Sequence, residues 1–169
     1  MSNAFEGDSL SVRVVWREVR SVRQRFEIVT RPEVALAIPI LADGRLVLIR
    51  QHRPAIDRLL LEFPAGRLEP RENAATAVRR ELLEEAGFNA SEVRELGWFL
   101  TAPHFSTEVV HVFAVYGQID RQPAPTEKEE LLQVEILQVS DVQKMIRTGQ
   151  LVDSKSVAAF MVAIAHEIW

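Results

Sequence analysis

The chain contains no cysteine, and that one absence removes disulfides, cysteine-ligated zinc and thiol nucleophiles from consideration. It also suits a reducing compartment. No apolar run approaches the ~20 residues that a membrane-spanning helix requires, so no membrane partner is expected. The first residues, Met1 to Gly7, lack the basic stretch and apolar core of a signal peptide, which makes a cytoplasmic location the expectation. Ser2-Asn3-Ala4 reads as an expression scar and carries no structural expectation. There is no internal repeat and no low-complexity tract; the one Pro-rich stretch, Arg121 to Glu130, is short and charged and reads as a loop within a domain. A strong positive charge is missing too. The net charge of -4 speaks against nucleic acid as a partner, and any phosphate-bearing ligand would need local arginines or a metal ion.

What is present is the composition of an ordinary globular protein. With 47% hydrophobic and 26% charged residues over 169 positions there is material for one real core, and a fold of this size buries about 70% of its unfolded surface. β-Branched and aromatic residues stand among charged ones over Val12 to Val22 and Arg25 to Thr30, which predicts strands with one wet face. Val34 to Leu41 and Arg45 to Gln51 are apolar runs joined across Ala42-Asp43-Gly44; the Asp-Gly pair predicts a hairpin, and Pro39 marks a bulge or an edge. Val109 to Tyr116 and Leu131 to Val139 complete the predicted strands.

Helical patterns occur in three places. The first runs from Asn73, a good N-cap, to Ala86, where Gly87 can take the left-handed position and Phe88 can fold back on the last turn. The second is expected to begin at Ser140, capped by a box with Gln143, and to stop near Gly149. The third starts at Asp153 or Ser154 and runs to the C-terminus, with Val157, Phe160, Met161, Ile164 and Ile168 as its core-facing stripe. Many strands, a central helix and two late helices predict an α+β or mixed α/β sandwich.

Within the first helix, Glu81, Glu84 and Glu85 stand at i, i+3 and i+4 and so project from nearly one face. Like charges repel there, and the negative end of the helix dipole is close, so the cluster opposes helix stability. Such a cluster makes chemical sense as a site for a hard divalent cation, which binds through a few carboxylates, waters and substrate phosphate oxygens.

The spacing Gly66, five residues, Glu72, seven residues, Arg80-Glu81-Leu82, one residue, Glu84-Glu85, one residue, Gly87-Phe88 resembles the Nudix box, with every fixed position filled. The resemblance implies the Nudix fold, an α/β/α sandwich with a mixed sheet, and hydrolysis of a nucleoside diphosphate linked to another moiety. It implies Glu81, Glu85 and Glu84, with the Ala65 carbonyl, as ligands of Mg²⁺, for which Mn²⁺ can substitute. It also implies that Arg80 holds a box glutamate and that Glu72 ties down the loop before the helix. Gly66 is expected to permit a backbone turn.

Further residues resemble the ADP-ribose pyrophosphatases and related nucleotide-sugar hydrolases. Leu59 to Gly66, "LLLEFPAG", carries the Glu-x-Pro-Ala-Gly form, which brings in Glu62 as a substrate-binding candidate, and Pro103 stands sixteen residues beyond Gly87. In "RQHRP", Arg53 or Arg50 is the expected diphosphate-binding arginine, as the resemblance implies. The sequence departs from that group at His104, where a glycine usually follows the marker proline, while Glu108 matches the glutamate of the run that follows. The resemblance puts the catalytic base on a late loop, here among Glu127, Glu129 and Glu130.

These residues imply a Mg²⁺-dependent pyrophosphohydrolase that splits ADP-ribose or a similar nucleoside diphosphate sugar into a nucleoside monophosphate and a sugar phosphate. A GDP-mannose-type or dinucleotide hydrolase is the alternative enzyme, and a non-catalytic Nudix-fold nucleotide-binding module the alternative of another class. The chain is expected to divide into an N-terminal antiparallel strand extension, residues 1–30, and a Nudix domain, residues 31–169. In the group a similar extension exchanges between the subunits of a homodimer and lends an aromatic ring to the base, which makes Trp16 and Phe26 candidates.

Overall fold

Every residue from Val34 to Ile40 is buried, although the run is too short for a helix of the core. A strand covered on both faces satisfies that pattern, and the architecture follows from it. The computed structural model describes residues 2–120 and 133–169. In chain order its elements are β1 (Ser2–Glu6), β2 (Ser11–Val19), β3 (Val22–Thr30), β4 (Val34–Ile40), β5 (Leu46–Arg53), β6 (Arg58–Glu62), β7 (Ala65–Arg67), α1 (Ala74–Ala86), β8 (Phe88–Leu100), β9 (Val109–Ile119), β10 (Gln133–Leu137), α2 (Val139–Arg147) and α3 (Ser154–Ala165).

The main sheet is mixed, with order β10-β5-β4-β9-β8, and β4 runs parallel to β9. Alternation along β4 assigns its two faces: Ala35 and Ala37 pack under α1 with Val78, Leu82 and Phe113, while Leu36 and Ile38 pack on the other face with Phe160 and Val142. Small residues beneath α1 let that helix lie close to the sheet. The result is the sandwich of helix, sheet and helices expected from the sequence.

Between β4 and β5 the sheet forks. The two strands pair only at Ile40 and Leu46; beyond that point β6 pairs with β5 and β7 pairs with β4. Pro39 therefore marks neither an edge strand nor a bulge, since its register with Val115 on β9 is unbroken. The Ala37 N–H reaches Pro64 across the fork, and backbone nitrogens two residues apart point the same way. The Pro39 nitrogen thus faces the gap, where no strand bond is lost.

The cap chemistry of α1 is as expected: Asn73 Oδ1 accepts from the Thr76 N–H at 2.8 Å, and Gly87 closes the helix at φ 61°. Helix α2 departs from expectation. Its N-cap is Gln138 with no side-chain cap bond, so Ser140 lies inside the helix and the capping box is not made. Helix α3 stops at Ala165, and Met161 at 54% exposure and Ile164 face outward; the core face is Ser156, Ala159, Phe160 and Ala163. Of the expected stripe, Phe160 is buried and Val157 and Ile168 pack against the core, while Met161 and Ile164 turn outward and alanines take the closest packing.

The residues ahead of β4 form a separate three-stranded antiparallel sheet, β1-β2-β3. Ser2-Asn3-Ala4, read above as a scar, lies in β1, where Ser2 and Asn3 pair with Val14 and Arg13. The long stretch expected from Val12 to Val22 is instead a hairpin, turned at Arg20 and Ser21 with φ of 50° and 61°. This small sheet meets the body through β3, because the Val29 N–H donates to the Phe105 carbonyl at 2.7 Å and the Thr107 N–H donates to the Val29 carbonyl at 3.0 Å. Among the described residues, no helix is long and apolar enough to cross a membrane.

Candidate active site

The fork opens a cleft of ≈ 1500 Å³. Its lining comes from Asp8 in the turn after β1, Arg31 and Glu33 ahead of β4, Gln51 and Arg53 at the end of β5, β7 and the loop to Glu72, the outer face of α1, Glu108 and Lys155. The apolar stripe of α1, Ala77, Val78, Leu82 and Ala86, turns toward the sheet. That rotation presents Arg80, Glu81, Glu84 and Glu85 to the cleft.

Glu85 is only 8% exposed and accepts from the Ala65 N–H at 3.0 Å. Burial, reinforced by the charge of Glu81, pushes its pKa up to about 8, against the Ala65 hydrogen bond and Arg53. Glu81 is likewise raised by burial, although Arg80 offsets part of the effect. Glu81 owes its position to Gly66. A Cβ at residue 66 would stand 1.7 Å from the Glu81 carboxyl carbon and 1.9 and 2.3 Å from its oxygens. The glycine serves close approach of this carboxylate, and not the backbone turn expected from the sequence; its φ is not left-handed.

Arg80 organises the loop and the helix together. Its Nε and Nη2 donate to the two oxygens of Glu72 at 3.1 and 2.9 Å, Nη2 also donates to the Arg67 carbonyl at 3.1 Å, and Nη1 donates to Glu81 at 2.7 Å. A weaker contact from Nη1 reaches Glu84 at 3.4 Å. The fork on Arg80 holds the Glu72 pKa below its ordinary value, and the same contact raises that of Arg80. Glu72 also accepts from the Glu69 N–H at 2.9 Å, which closes the loop.

Arg53 lines the same cleft, and its Nε and Nη2 grip Glu62 at 2.7 and 2.6 Å. Glu62 is 1% exposed, so it supports the arginine from behind. Arg50 is not brought to the cleft lining; it points to the opposite face of β5 and pairs with Glu135 of β10. Glu108 is buried at the cleft wall with Arg31 Nε 3.1 Å from its carboxylate. His104 packs edge-on against Phe105 at 4.7 Å and needs no left-handed backbone, so its replacement of a glycine costs no backbone strain. Trp16 and Phe26 do not line the cleft. Trp16 pairs with Arg25 and Phe26 with Val15, so the two rings occupy opposite faces of their hairpin; Trp16 is 50% exposed, with Arg23 lying 5.0 Å over its ring. Glu127, Glu129 and Glu130 lie outside the described residues.

Sequence reasoning did not single out Asp8, Arg31, Glu33, Gln51 or Lys155 as cleft residues. They come from separated segments that only the fold unites. The Lys155 position had one local sign, a cation two residues after the Asp153 cap.

The residues fit a divalent cation by the chemistry of their donors. Three glutamates from one helix face meet the end of β7, and burial raises the pKa of Glu85 despite the nearby charge of Arg53. Ala65 pairs with Leu36 without strand hydrogen bonds, since the neighbouring Pro64 carbonyl takes the bond from Ala37. Its N–H is turned to Glu85, and a strand residue's carbonyl leaves on the same side as its N–H. Among the described residues no three acidic or imidazole groups already converge as a cage. Arg80 instead occupies Glu81 and reaches Glu84, and Glu85 is held by Ala65.

The described residues thus define a mixed sheet that forks beside a cleft, with one helix turning three glutamates toward that cleft. Residues 30–160 match the NUDIX domain, and the chain belongs to the Nudix family. Nudix hydrolases generally use divalent metal ions. The chain is 29% identical over 134 residues to the ADP-ribose pyrophosphatase of Bacillus subtilis (strain 168), covering 79% of this chain and 72% of that protein. It is 33% identical over 165 residues to the GDP-mannose pyrophosphatase of Salmonella typhimurium (strain LT2), covering 92% and 85%. In three dimensions it superposes on an ADP compounds hydrolase with a TM-score of 0.84 at 22% identity, over 97% of this chain and 89% of the other.

Proposed function

We propose that the protein is a Mg²⁺-dependent pyrophosphohydrolase of nucleoside diphosphate sugars, with ADP-ribose as the leading substrate and a nucleoside monophosphate and a sugar phosphate as products. The observation that carries the reading is one cleft lined both by Glu81, Glu84 and the buried Glu85 of α1 and by the braced Arg53. Divalent ions bound there would polarise phosphate oxygens and neutralise developing charge. Glu81, Glu84, Glu85 and the Ala65 carbonyl are the groups that would hold them. Arg53 binds the diphosphate and orients it, with Glu62 fixing the guanidinium. Arg80 and Glu72 keep the loop and helix in register, and Glu108 contacts substrate from the loop after Pro103. A water attacks one phosphorus, the anhydride P–O bond breaks, and a glutamate among Glu127, Glu129 and Glu130 takes the water's proton.

GDP-mannose is the second substrate to test, because the similarity to the Salmonella typhimurium protein spans most of this chain. We further propose a cytoplasmic homodimer in which residues 1–30 form the exchanged element and residues 31–169 the catalytic domain. The exposure of Phe5, Trp16, Val19 and Val22 on the small sheet supports an interface there. The deciding experiment is steady-state kinetics on ADP-ribose, GDP-mannose and a dinucleotide with Mg²⁺, Mn²⁺ or EDTA. ADP-ribose should give the highest kcat/KM and EDTA should abolish turnover. Turnover unaffected by EDTA sinks the metal assignment, and preference for GDP-mannose reassigns the substrate. Light scattering at micromolar concentration tests the assembly, and a stable, fully active monomer overturns it.

A further inference from the structure

Among the described residues, five cations line the cleft: Arg31, Arg53, Arg67, Arg80 and Lys155. Four of them are engaged. Arg31 pairs with Glu108, Arg53 with Glu62, Arg80 with Glu72 and Glu81, and Lys155 with Asp153. Arg67, half-buried in β7, makes no side-chain hydrogen bond or ion pair among the described residues.

The isolation of Arg67 follows from strand geometry. A Cβ at residue 66 would meet Glu81, so position 66 faces α1, and positions 65 and 67 face the other side of β7. Ala65 packs against the core cluster on that side, and Val34, the register partner of Arg67, belongs to it. A cation kept only to offset the α1 carboxylates would be needed on their face; the alternation of the strand turns this one away from them. Its root is nevertheless held, because the Arg67 carbonyl accepts from Arg80 Nη2 at 3.1 Å and β4 fixes the register. A guanidinium offers five donors, and one drawn partly out of water with no counter-charge is costly until an anion meets it. Arg67 also stands two residues beyond Ala65 along β7, about 7 Å at the rise of a strand. That offset carries it past the groups that would hold a metal ion against the diphosphate.

We propose that Arg67 is a specificity residue of this cleft, donating to an anionic group that the ligand carries outside its diphosphate. The inference rests on the diphosphate reading above and names a feature of the ligand that the reading leaves open. Such a group has two sources, a carboxylate on the terminal sugar or a phosphate on the ribose beside the base. In either case the neutral counterpart leaves the guanidinium without its partner, so discrimination comes from a charge-assisted hydrogen bond that only the charged ligand makes.

The test measures calorimetric binding of two matched ligand pairs with Mg²⁺: UDP-glucuronate against UDP-glucose, and 2′-phospho-ADP-ribose against ADP-ribose. Glu85→Gln is carried in every protein so that the ligands stay intact, and Arg67 is compared with Arg67→Leu and Arg67→Lys. The charged member of one pair should bind about 10- to 100-fold more tightly than the neutral one. Arg67→Leu should abolish that preference and Arg67→Lys should keep much of it. A preference in the first pair places the anion on the sugar, and in the second on the nucleoside. Inorganic pyrophosphate, which has neither group, should bind equally well with arginine or leucine at position 67. No preference in either pair overturns the proposal, and so does a preference that survives Arg67→Leu. An Arg67→Leu protein that loses as much affinity for pyrophosphate as for the charged ligands also overturns it, since Arg67 would then serve the diphosphate. An Arg67-dependent preference in a protein that, with Glu85 restored, leaves all four ligands unhydrolysed refutes the proposed activity alone.

Discussion

The carboxylate of Glu81 occupies the space where residue 66 would carry a side chain, 1.7 Å from an ideal Cβ. No other atom need intervene for the two positions to be coupled. Gly66→Ala should therefore push Glu81 off its place while leaving the α1 caps intact. We expect loss of most turnover and weaker Mn²⁺ binding, measured by titration, with the circular dichroism of the native fold preserved. Wild-type metal affinity in that variant would show that Glu81 is free to move without cost.

Glu85→Gln should keep the fold, because the amide oxygen can still accept from Ala65, and should lose most turnover because a charge leaves the divalent site. The same variant tests the titration of Glu85. Its folded pKa, about 8, lies above the ordinary 4.5, so the folded state binds more protons between those values. The contribution to stability is fully present below the ordinary value and is lost as pH rises through about 8. Glu81 shifts in the same direction and adds to the trend. Metal-free wild type should melt at progressively lower temperature over that window, and Glu85→Gln should flatten the slope. Mg²⁺ should raise the midpoint most at the alkaline end, where the ligands are already deprotonated.

Arg80→Lys retains charge but cannot fork onto Glu72 while also reaching Glu81 and the Arg67 carbonyl. Partners that orient metal ligands typically matter 10- to 100-fold, and a fall of about that size in kcat/KM is expected. Kinetics equal to wild type would reduce Arg80 to a surface ion pair.

Arg53→Ala should raise KM or lower kcat/KM by removing a contact to the diphosphate. The fold makes it more than that, because Glu62 would be left buried without its partner. A destabilisation of roughly 3 kcal/mol is expected, the low end of the range for a broken buried pair, since Arg53 itself is partly exposed. Adding Glu62→Gln should restore much of the thermal midpoint and little of the kcat/KM. Full recovery of activity in the double variant would remove Arg53 from substrate binding.

If an aromatic ring of the extension stacks on the base, the opposed faces of Trp16 and Phe26 allow only one of them to do so in a given pocket. Trp16→Ala and Phe26→Ala should accordingly differ, one raising KM for ADP-ribose and the other acting on stability or assembly. Equal KM effects from both would contradict the hairpin register.

Local chemistry was legible in the sequence wherever one residue type acts on its immediate neighbours. Asn73 and Gly87 bracket α1 as expected, and Glu81, Glu84 and Glu85 share its cleft face. Strand β8 escaped notice because its register shifts between Ala90 and Glu92 and again between Glu95 and Gly97, so no alternation of period two survives. The turn at Arg20-Ser21 uses left-handed backbone without Gly, Asn or Asp and so gave no signal. The rest of the cleft was hidden for a different reason: Asp8, Arg31, Gln51 and Lys155 become neighbours only through the forked sheet. The stripe of α3 held at Val157, Phe160 and Ile168 and failed at Met161 and Ile164, because the closest packing uses alanine, which has little hydrophobic weight of its own.

The backbone bonds that join Val29 to Phe105 and Thr107 splice the small sheet into the loop bearing Glu108. That seam gives variation in the first thirty residues a route to the substrate wall without altering any catalytic side chain. Drift in the hairpin, or a new neighbour packed against it, can shift the loop while α1 stays fixed. If Glu108 contacts substrate as proposed, a change in the first thirty residues reaches that contact through the backbone while α1 keeps its own caps and packing.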